Sequence, residues 1–319
     1  NECLASVSPG IGIFLLYVRC GGKMCDQEYK AGVVYLDNAA TTRAADEVAK
    51  VVTDIMLNDY GNPSSKHSKG FDAEKQVKQA AQIIAKTLKC DEKEILFTSG
   101  GTESNNMAII ESAIANKRRG NHVIVSSVEH SSVKEPFRYL EENGFNVTYL
   151  PVDNRGLVSV DALKEALDEE TILVSVMLVN NEIGTIEPVE KIGKIVKDYN
   201  KDIIFHVDAI QAYGKMRIYP KKMNIDLLSV SGHKIHGPKG TGFLFIKDKT
   251  KIKPLILGGG QQRAMRSGTE NVPGIAGLGK AAELIYTKDF DEKVDKMYEL
   301  RDYFVSELEK LDGVHINGM

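Results

Sequence analysis

A lysine stands at position 234 in the run Ser231-Gly232-His233-Lys234-Ile235-His236-Gly237-Pro238, directly after the apolar segment Leu227-Leu228-Ser229-Val230. Most lysines are solvated charges, but one held at the end of a buried strand can lose its proton by desolvation and act as an amine nucleophile. Upstream, Ile203-Ile204-Phe205-His206-Val207 runs into Asp208. A carboxylate there is costly to bury unless it is paired; its partner is either a cationic ring nitrogen or, as a helix N-cap, free backbone N–H groups. Earlier still, Ile95-Leu96-Phe97-Thr98 leads to Ser99-Gly100-Gly101-Thr102-Glu103. Two glycines admit a close backbone approach and a helix start attracts phosphate, although an ordinary capped helix start fits the same residues. His130 follows the segment His122–Ser126; its imidazole can stack on an aromatic ligand and titrate near neutral pH, or serve as a plain loop residue. His233 and His236 have too few partners nearby for a metal site, and no metal ligands are expected.

The joint order of these signals is more specific than any one of them. A phosphate cradle, a stacking imidazole, a carboxylate and then a lysine, each at a strand end, are the parts of a pyridoxal phosphate site. The lysine forms a Schiff base, the carboxylate keeps the pyridine nitrogen protonated, and the helix start holds the phosphate.

In an open α/β sheet, ligands bind beyond the carboxyl ends of the strands, so the surrounding elements must supply such ends. Helical periodicity runs through 45–58, 70–89, 102–118, 132–143, 161–168 and 189–200. Between these lie apolar runs, Ile95–Thr98, His122–Ser126, Val147–Pro151, Ile172–Leu178, Ile203–Val207, Leu227–Val230 and Gly242–Ile246. The alternation predicts an α/β protein whose mostly parallel sheet is covered by helices on both faces. A long helix is predicted from Phe290 to Leu311, with Val294, Met297, Phe304, Leu308 and Leu311 on one stripe.

The chain has 319 residues, 41 Lys+Arg against 44 Asp+Glu, and 42% apolar residues. That length allows about two domains. The near-balanced charge argues against a polybasic nucleic-acid or membrane binder. The run 11–18 is far short of the ~20 apolar residues that span a bilayer. Cys3, Cys20, Cys25 and Cys90 form neither a disulfide framework nor a zinc motif, so a reduced, cytoplasmic protein is expected. Residues 1–32 are expected to be a poorly ordered leader, with Met24 as the natural start. A segment 33–50, a large domain 51–285, and a linking helix with the start of a small domain at 286–319 complete the expected organisation.

From Tyr35 to about Leu311 the chain resembles the class V aminotransferase family and, within it, the NifS/IscS-type cysteine desulfurases. The strings that carry the resemblance are Tyr35-Leu36-Asp37-Asn38-Ala39-Ala40-Thr41-Thr42, Gly61-Asn62-Pro63-Ser64-Ser65, Phe97-Thr98-Ser99-Gly100-Gly101-Thr102-Glu103-Ser104-Asn105 and Glu129-His130. Asn180-Asn181-Glu182-Ile183-Gly184, His206-Val207-Asp208-Ala209, Ser231-Gly232-His233-Lys234, Gly258-Gly259-Gly260-Gln261-Gln262-Arg263 and Arg266-Ser267-Gly268-Thr269-Glu270-Asn271 follow in order.

The resemblance implies the fold type I architecture of pyridoxal phosphate enzymes, with a seven-stranded sheet and an incomplete small C-terminal domain. It implies that Lys234 carries the cofactor and moves the substrate Cα proton, that Asp208 pairs with the pyridine nitrogen, and that Asn180 and Gln211 hydrogen-bond the ring hydroxyl side. His130 would stack on the ring and act as acid/base. Gly101, Thr102, Ser231 and His233 would bind the phosphate, joined by Thr269 from the other subunit of a homodimer. Asn38 would lie near the substrate carboxylate. The implied reaction converts L-cysteine to L-alanine and leaves a persulfide for an iron–sulfur scaffold or tRNA-thiolation acceptor protein. In the family, the persulfide-forming cysteine and a following arginine lie in the small domain, past the point where this chain stops, so the chain alone is expected not to complete desulfuration and to leave the stripe of its last helix uncovered. Another class V enzyme, such as an aminotransferase or a selenocysteine or cysteine lyase, and a non-catalytic scaffold of the same fold, are the alternatives.

Overall fold

The computed structural model describes residues 35–317; the expected leader, the Met24 start and Cys3, Cys20 and Cys25 lie outside the described residues. In chain order the elements are α1 (Asp46–Leu57), α2 (Ser68–Leu88), β1 (Ile95–Thr98) and α3 (Gly101–Asn106). A π turn (Met107–Glu111) joins α3 to α4 (Ser112–Asn116). β2 (His122–Ser126), α5 (Ser131–Glu142), β3 (Asn146–Leu150), α6 (Val160–Ala166), β4 (Thr171–Met177), α7 (Val189–Tyr199) and β5 (Ile204–Asp208) follow. β6 (Leu227–Ser231), β7 (Gly242–Ile246), α8 (Val272–Ile285) and α9 (Phe290–Leu308) complete the set.

The seven strands form one sheet in the order β1-β7-β6-β5-β4-β2-β3. All neighbours are parallel except β7, which runs antiparallel to both β1 and β6. Alternating residues divide between two apolar layers: Val174, Val176, Phe205 and Val207 face one, and Leu173, Ile204, Leu227 and Leu244 the other. β1, β2, β4, β5 and β6 are buried at every position, because helices cover both faces, whereas the edge strand β3 buries only Leu150. Burial on both faces is why these strands read as unbroken apolar runs. The sheet turns its carboxyl ends, closing on Ser126, Met177, Asp208 and Ser231, toward one side of the molecule.

Two elements depart from the sequence expectation. α8 carries no amphipathic stripe: its buried residues run all round it, because it is packed against both α1 and α2. Its approach to α2 is so close that a Cβ on Gly279 would stand 2.8 Å from the Cα of Ala80. α9 ends at Leu308, so Leu311 leaves the predicted stripe and is exposed. Only Phe290 of that helix is buried; it stacks on Tyr286 with ring centroids 4.6 Å apart, and Arg217 pairs with Asp291 at 2.8 and 2.9 Å.

The other end of the sheet is tied by a buried carboxylate. Asp226 accepts from the Phe205 backbone N–H at 2.9 Å, from Lys247 Nζ at 3.1 Å and from Lys197 Nζ. The Lys197 side chain is 13% exposed. Removing the carboxylate strands a desolvated ammonium, so Asp226→Ala is expected to cost about 3 kcal/mol or more. Urea unfolding checks this: the midpoint should fall with an unchanged slope.

Candidate active site

Above the strand ends lies a cavity of about 490 Å³. Gly101, Thr102, His130, Asp208, Gln211, Ser231, His233 and Lys234 all line it, together with Asp37, Ala39, Ala40, Ser132, Met177, Val179, Asn181, Glu182 and Ile210. Eight of the residues singled out from sequence therefore share one chamber, although they are spread across 134 positions of the chain from Gly101 to Lys234.

Each is placed by a local device. Asp208 is the last residue of β5; its Oδ1 accepts from the Ile210 N–H at 2.9 Å and its Oδ2 from Asn105 Nδ2 at 2.8 Å. Asn105 also donates to Ser132 Oγ at 2.9 Å, which leaves the Ser132 hydroxyl proton to reach His130 Nδ1 at 2.8 Å. The Ser132 backbone N–H donates to the same nitrogen at 3.1 Å, as His130 caps α5. Two donors on Nδ1 hold the ring proton of neutral His130 on Nε2. A directed chain thus runs from the carboxylate through an amide and a hydroxyl to the imidazole.

Lys234 sits in the 3₁₀ turn after β6, and its Nζ donates to the carbonyls of Ala39 and, at 3.0 Å, Ala40. Those carbonyls are brought in because the segment around Thr42 is laced to the same turn: Thr42 Oγ1 donates to the His233 carbonyl at 2.8 Å and accepts from the His236 N–H at 2.7 Å. Burial lowers the Lys234 pKa, against the opposing charges of Asp208, Asp37 and Glu182. His233 is pushed down to about 4 by burial and by Lys234 and Lys239, so it is a neutral ring at pH 7. Asp208 is raised, first by burial.

Three of the singled-out residues lie off the cavity lining. Asn180 is buried one step behind it and its amide is consumed locally: Nδ2 donates to Val128 O at 3.0 Å, and Oδ1 accepts from the Glu182 and Ile183 N–H groups at 2.9 and 3.0 Å. Asn38 and Thr269 are exposed and do not line the chamber. Asn105, Ser132 and the Ala39 carbonyl are members of this hydrogen-bond network that sequence reasoning missed; the Gly-Gly-Thr-Glu-Ser-Asn run was in view, but nothing in it points Asn105 at a carboxylate 103 residues away. Arg266 is tied to Glu103, at the start of α3, by Nε–Oε1 and Nη2–Oε2 bonds of 2.9 and 3.2 Å, which docks the 256–271 loop beside the cradle. Among the described residues no cluster of three or more His, Cys, Asp or Glu is set for a metal ion.

Glu129 lies fully buried beside this network. Its Oε1 accepts from Ser126 Oγ and the Met177 N–H, both at 2.6 Å, while Oε2 has no partner. Burial above all, then the nearby charges of Asp208 and Glu187, raise its pKa from 4.5 to about 8, so it is mostly neutral at pH 7. A carboxyl whose folded pKa is raised contributes stability fully below its unfolded pKa and loses it as pH rises through the folded one. Wild-type stability should therefore carry a component on the order of a few kcal/mol that disappears between about pH 4.5 and 8. Glu129→Gln, neutral throughout, should flatten that slope, leaving the contributions of Glu187, which is raised to about 7, and of Asp208, which is also raised. Urea midpoints at pH 5, 7 and 9 test this; parallel curves for the two proteins would refute it.

The chamber's chemistry fits pyridoxal phosphate. Gly101 opens α3 where a Cβ would stand 2.1 Å from Ile210 Cδ1 and 3.6 Å from Ser231 Cβ, so only bare backbone is accommodated at the cradle. Thr102, Ser231 and His233 add polar donors on the same side, suited to a phosphate. Asp208 is a buried carboxyl without a cationic hydrogen-bond partner among the described residues, as a site for a protonated ring nitrogen requires, and Asn105 Oδ1 is a buried acceptor with no partner. Lys234 is a desolvated amine whose hydrogen bonds, among the described residues, go to backbone carbonyls.

The family described as Aminotransferase class-V matches residues 34–319. The cysteine desulfurase IscS of Dictyoglomus turgidum is 49% identical over 286 residues, covering 89% of this chain and 72% of that protein. The cysteine desulfurase IscS of Methanosarcina thermophila is 48% identical over 300 residues, covering 94% of this chain and 73% of the relative. Among solved structures, a NifS-like protein superimposes with a TM-score of 0.86 at 43% identity, covering 89% of this chain and 78% of that one. A structure of SspA in complex with cysteine superimposes with a TM-score of 0.76 at 40% identity, covering 82% of this chain and 77% of that one.

Proposed function

This chain belongs to the class V aminotransferase family as a cysteine desulfurase of the IscS/NifS type, and from that premise we propose how its residues divide the work. Lys234, Asp208, His130, Gly101, Thr102, Gln211, Ser231 and His233 hold pyridoxal phosphate and its substrate in the chamber described above. The observation that carries this reading is the convergence of a desolvated Lys234, a buried unpaired Asp208 and the Gly101 cradle on one cavity.

When bound, pyridoxal phosphate supplies an electron sink that makes the Cα proton of an amino acid acidic. Lys234 Nζ is the base that takes that proton; its lowered pKa makes the free amine accessible. Asp208 stays ionised once it faces a cationic ring nitrogen, because the opposite charge offsets its burial. His130, with its proton fixed on Nε2, is placed to donate. The cavity's approach to Gly101, Thr102, Ser231 and His233 orients the phosphate end.

L-cysteine is the proposed substrate, in keeping with the cysteine complex of SspA. The balanced reaction is L-cysteine plus an enzyme thiol giving L-alanine plus an enzyme persulfide: the Cβ–S bond breaks, an S–S bond forms, the carbon is reduced and the transferred sulfur oxidised. The accepting thiolate is placed outside residues 35–317. Cys90, the cysteine among them, closes α2 away from the cavity lining, and burial raises its thiol to about 12, which disfavours the thiolate. The reading extends to a cytoplasmic homodimer in which the partner's copy of the exposed Thr269 loop completes the phosphate site, and to an iron–sulfur scaffold or other protein that takes the sulfur. No helix among the described residues is long and apolar enough to cross a membrane.

The deciding experiment incubates the cofactor-reconstituted protein with L-cysteine and a reductant and identifies the products. Where the protein tested carries its accepting cysteine, alanine with released sulfide is expected. A keto acid with an aminated acceptor would make it an aminotransferase instead, and no Schiff-base absorption at all would favour a scaffold.

A further inference from the structure

A second lysine stands behind the cavity wall. Lys215 Nζ donates to Gln211 Oε1 at 3.3 Å and to the Gln211 backbone carbonyl at 3.1 Å. Gln211 is itself buried, and its Nε2 donates to the Ala39 carbonyl at 3.1 Å, the same oxygen that accepts from Lys234. The row is continuous: Lys215, the Gln211 amide, the Ala39 carbonyl, Lys234. Among the described residues Lys215 has no carboxylate partner, and the turn that carries it is pinned on both sides, since the Gly214 N–H donates to Tyr286 Oη at 2.8 Å and Tyr286 Oη donates to the Met216 carbonyl at 3.1 Å. Burial and the neighbouring Lys234 charge lower the Lys215 pKa to about 8, leaving it mainly cationic at pH 7.

An ammonium has three donors and no acceptor, whereas a glutamine amide has one end of each kind. Only the carbonyl end of Gln211 can face Lys215, so the NH₂ end must face the cavity. A flipped amide would set donor against donor beside a partly desolvated charge. We propose that Lys215 is a positioning residue that fixes Gln211 as a hydrogen-bond donor toward the electron-rich ring oxygen of the cofactor. This rests on the reading of the chamber as a pyridoxal phosphate site and adds to it the reason why Gln211 donates there. Nothing touches the reacting atoms from Lys215 itself; its effect passes through one amide.

The test compares wild type, Lys215→Met, Lys215→Arg, Gln211→Ala and the Lys215→Met/Gln211→Ala double variant, each stripped of and then titrated with pyridoxal phosphate. Lys215→Met is expected to weaken cofactor affinity about tenfold, the worth of one good hydrogen bond. It should also shift the Schiff-base absorption from the longer-wavelength form, in which the ring oxygen is anionic, toward the shorter-wavelength form. Lys215→Arg keeps a donor-only head and should restore most of both. In the Gln211→Ala background, Lys215→Met should add nothing. Should methionine at 215 prevent folding, Lys215→Gln replaces it, since its amide can face Gln211 either way and should give the same shift. An unchanged affinity and spectrum in Lys215→Met, or the same loss with and without Gln211, would overturn the proposal while leaving the site intact. A wild-type protein that forms no Schiff-base band lost in Lys234→Ala would overturn the underlying reading, and this proposal with it.

Discussion

Lys234→Ala is expected to abolish the Schiff-base absorption of the reconstituted protein and to lower L-cysteine turnover by a factor of about 10³ or more. Proton transfer by a placed side chain contributes roughly 10²–10⁴, and the covalent tether to the cofactor is lost as well. The magnitude follows from where the amine sits. Among the described residues its hydrogen bonds go to the carbonyls of Ala39 and Ala40, both neutral, and burial lowers its pKa. Among the described residues no other lysine lines the chamber to take over. Lys234→Arg is the sharper control: it keeps the positive charge but not a deprotonatable amine, and should fail equally. Because the turn around Gly232 and Ile235 is held by backbone bonds, thermal unfolding of the cofactor-free variants should move little. Retention of the absorption band in Lys234→Ala would place the Schiff base elsewhere.

The second large effect concerns Asp208, where the signs for cofactor-free and cofactor-bound protein are opposite. Without a ligand, burial raises the carboxyl pKa from 3.8. The neutral form is then the comfortable one, and its stabilising contribution, complete below pH 3.8, is lost as pH rises through the raised value. A cationic ring nitrogen reverses this by favouring the carboxylate, so binding releases a proton and wild-type affinity falls as pH drops through that same range. Asp208→Asn should therefore melt higher than wild type as the cofactor-free protein at neutral pH, bind pyridoxal phosphate about 30- to 100-fold more weakly, and turn over roughly 10²-fold more slowly, with affinity no longer dependent on pH in the acidic range. The isosteric amide leaves the Ile210 N–H bond in place. On the other side, Asn105 can turn its partnerless Oδ1 toward the new NH₂, giving up its bond to Ser132 and loosening His130. Equal melting and equal affinity would show that Asp208 is never charged in function.

Lys234, Asp208, Gly101 and His130 were legible because each follows an apolar strand, and strand ends in such sheets face one side. The central strands were legible for a related reason, since burial on both faces writes them as unbroken apolar runs, while the edge strand β3, buried only at Leu150, reads as a strand from its β-branched and aromatic residues. What stayed hidden depends on contacts between distant segments. Asn105 reads as one more polar residue in a helix start until β5 brings Asp208 beside it. The Ala39 carbonyl is backbone, invisible to any reading of side-chain types. α8, apolar all round and interrupted by glycines, lacks the periodic stripe that marks a helix, since its surroundings are helix on more than one side. Gln262, Arg263 and Ala264 take positive φ angles of 46°, 60° and 59°, a left-handed turn that no residue type there announces. Asn180 and Asn38 show the converse: the motif was found, but the first divides its amide between its own turn and the Val128 carbonyl, and the second is exposed.

The π turn between α3 and α4 holds one residue more than a regular helical turn would. It lets the first half of the helix address the cavity while the second half, through Ile109 and Ala113, stays locked in the apolar layer. Because the wider turn absorbs the extra residue, deleting one residue within Met107–Glu111 should restore a regular helix and leave the two halves nearly in their present phase. The extra residue is one the fold can lose without parting the cradle from the sheet.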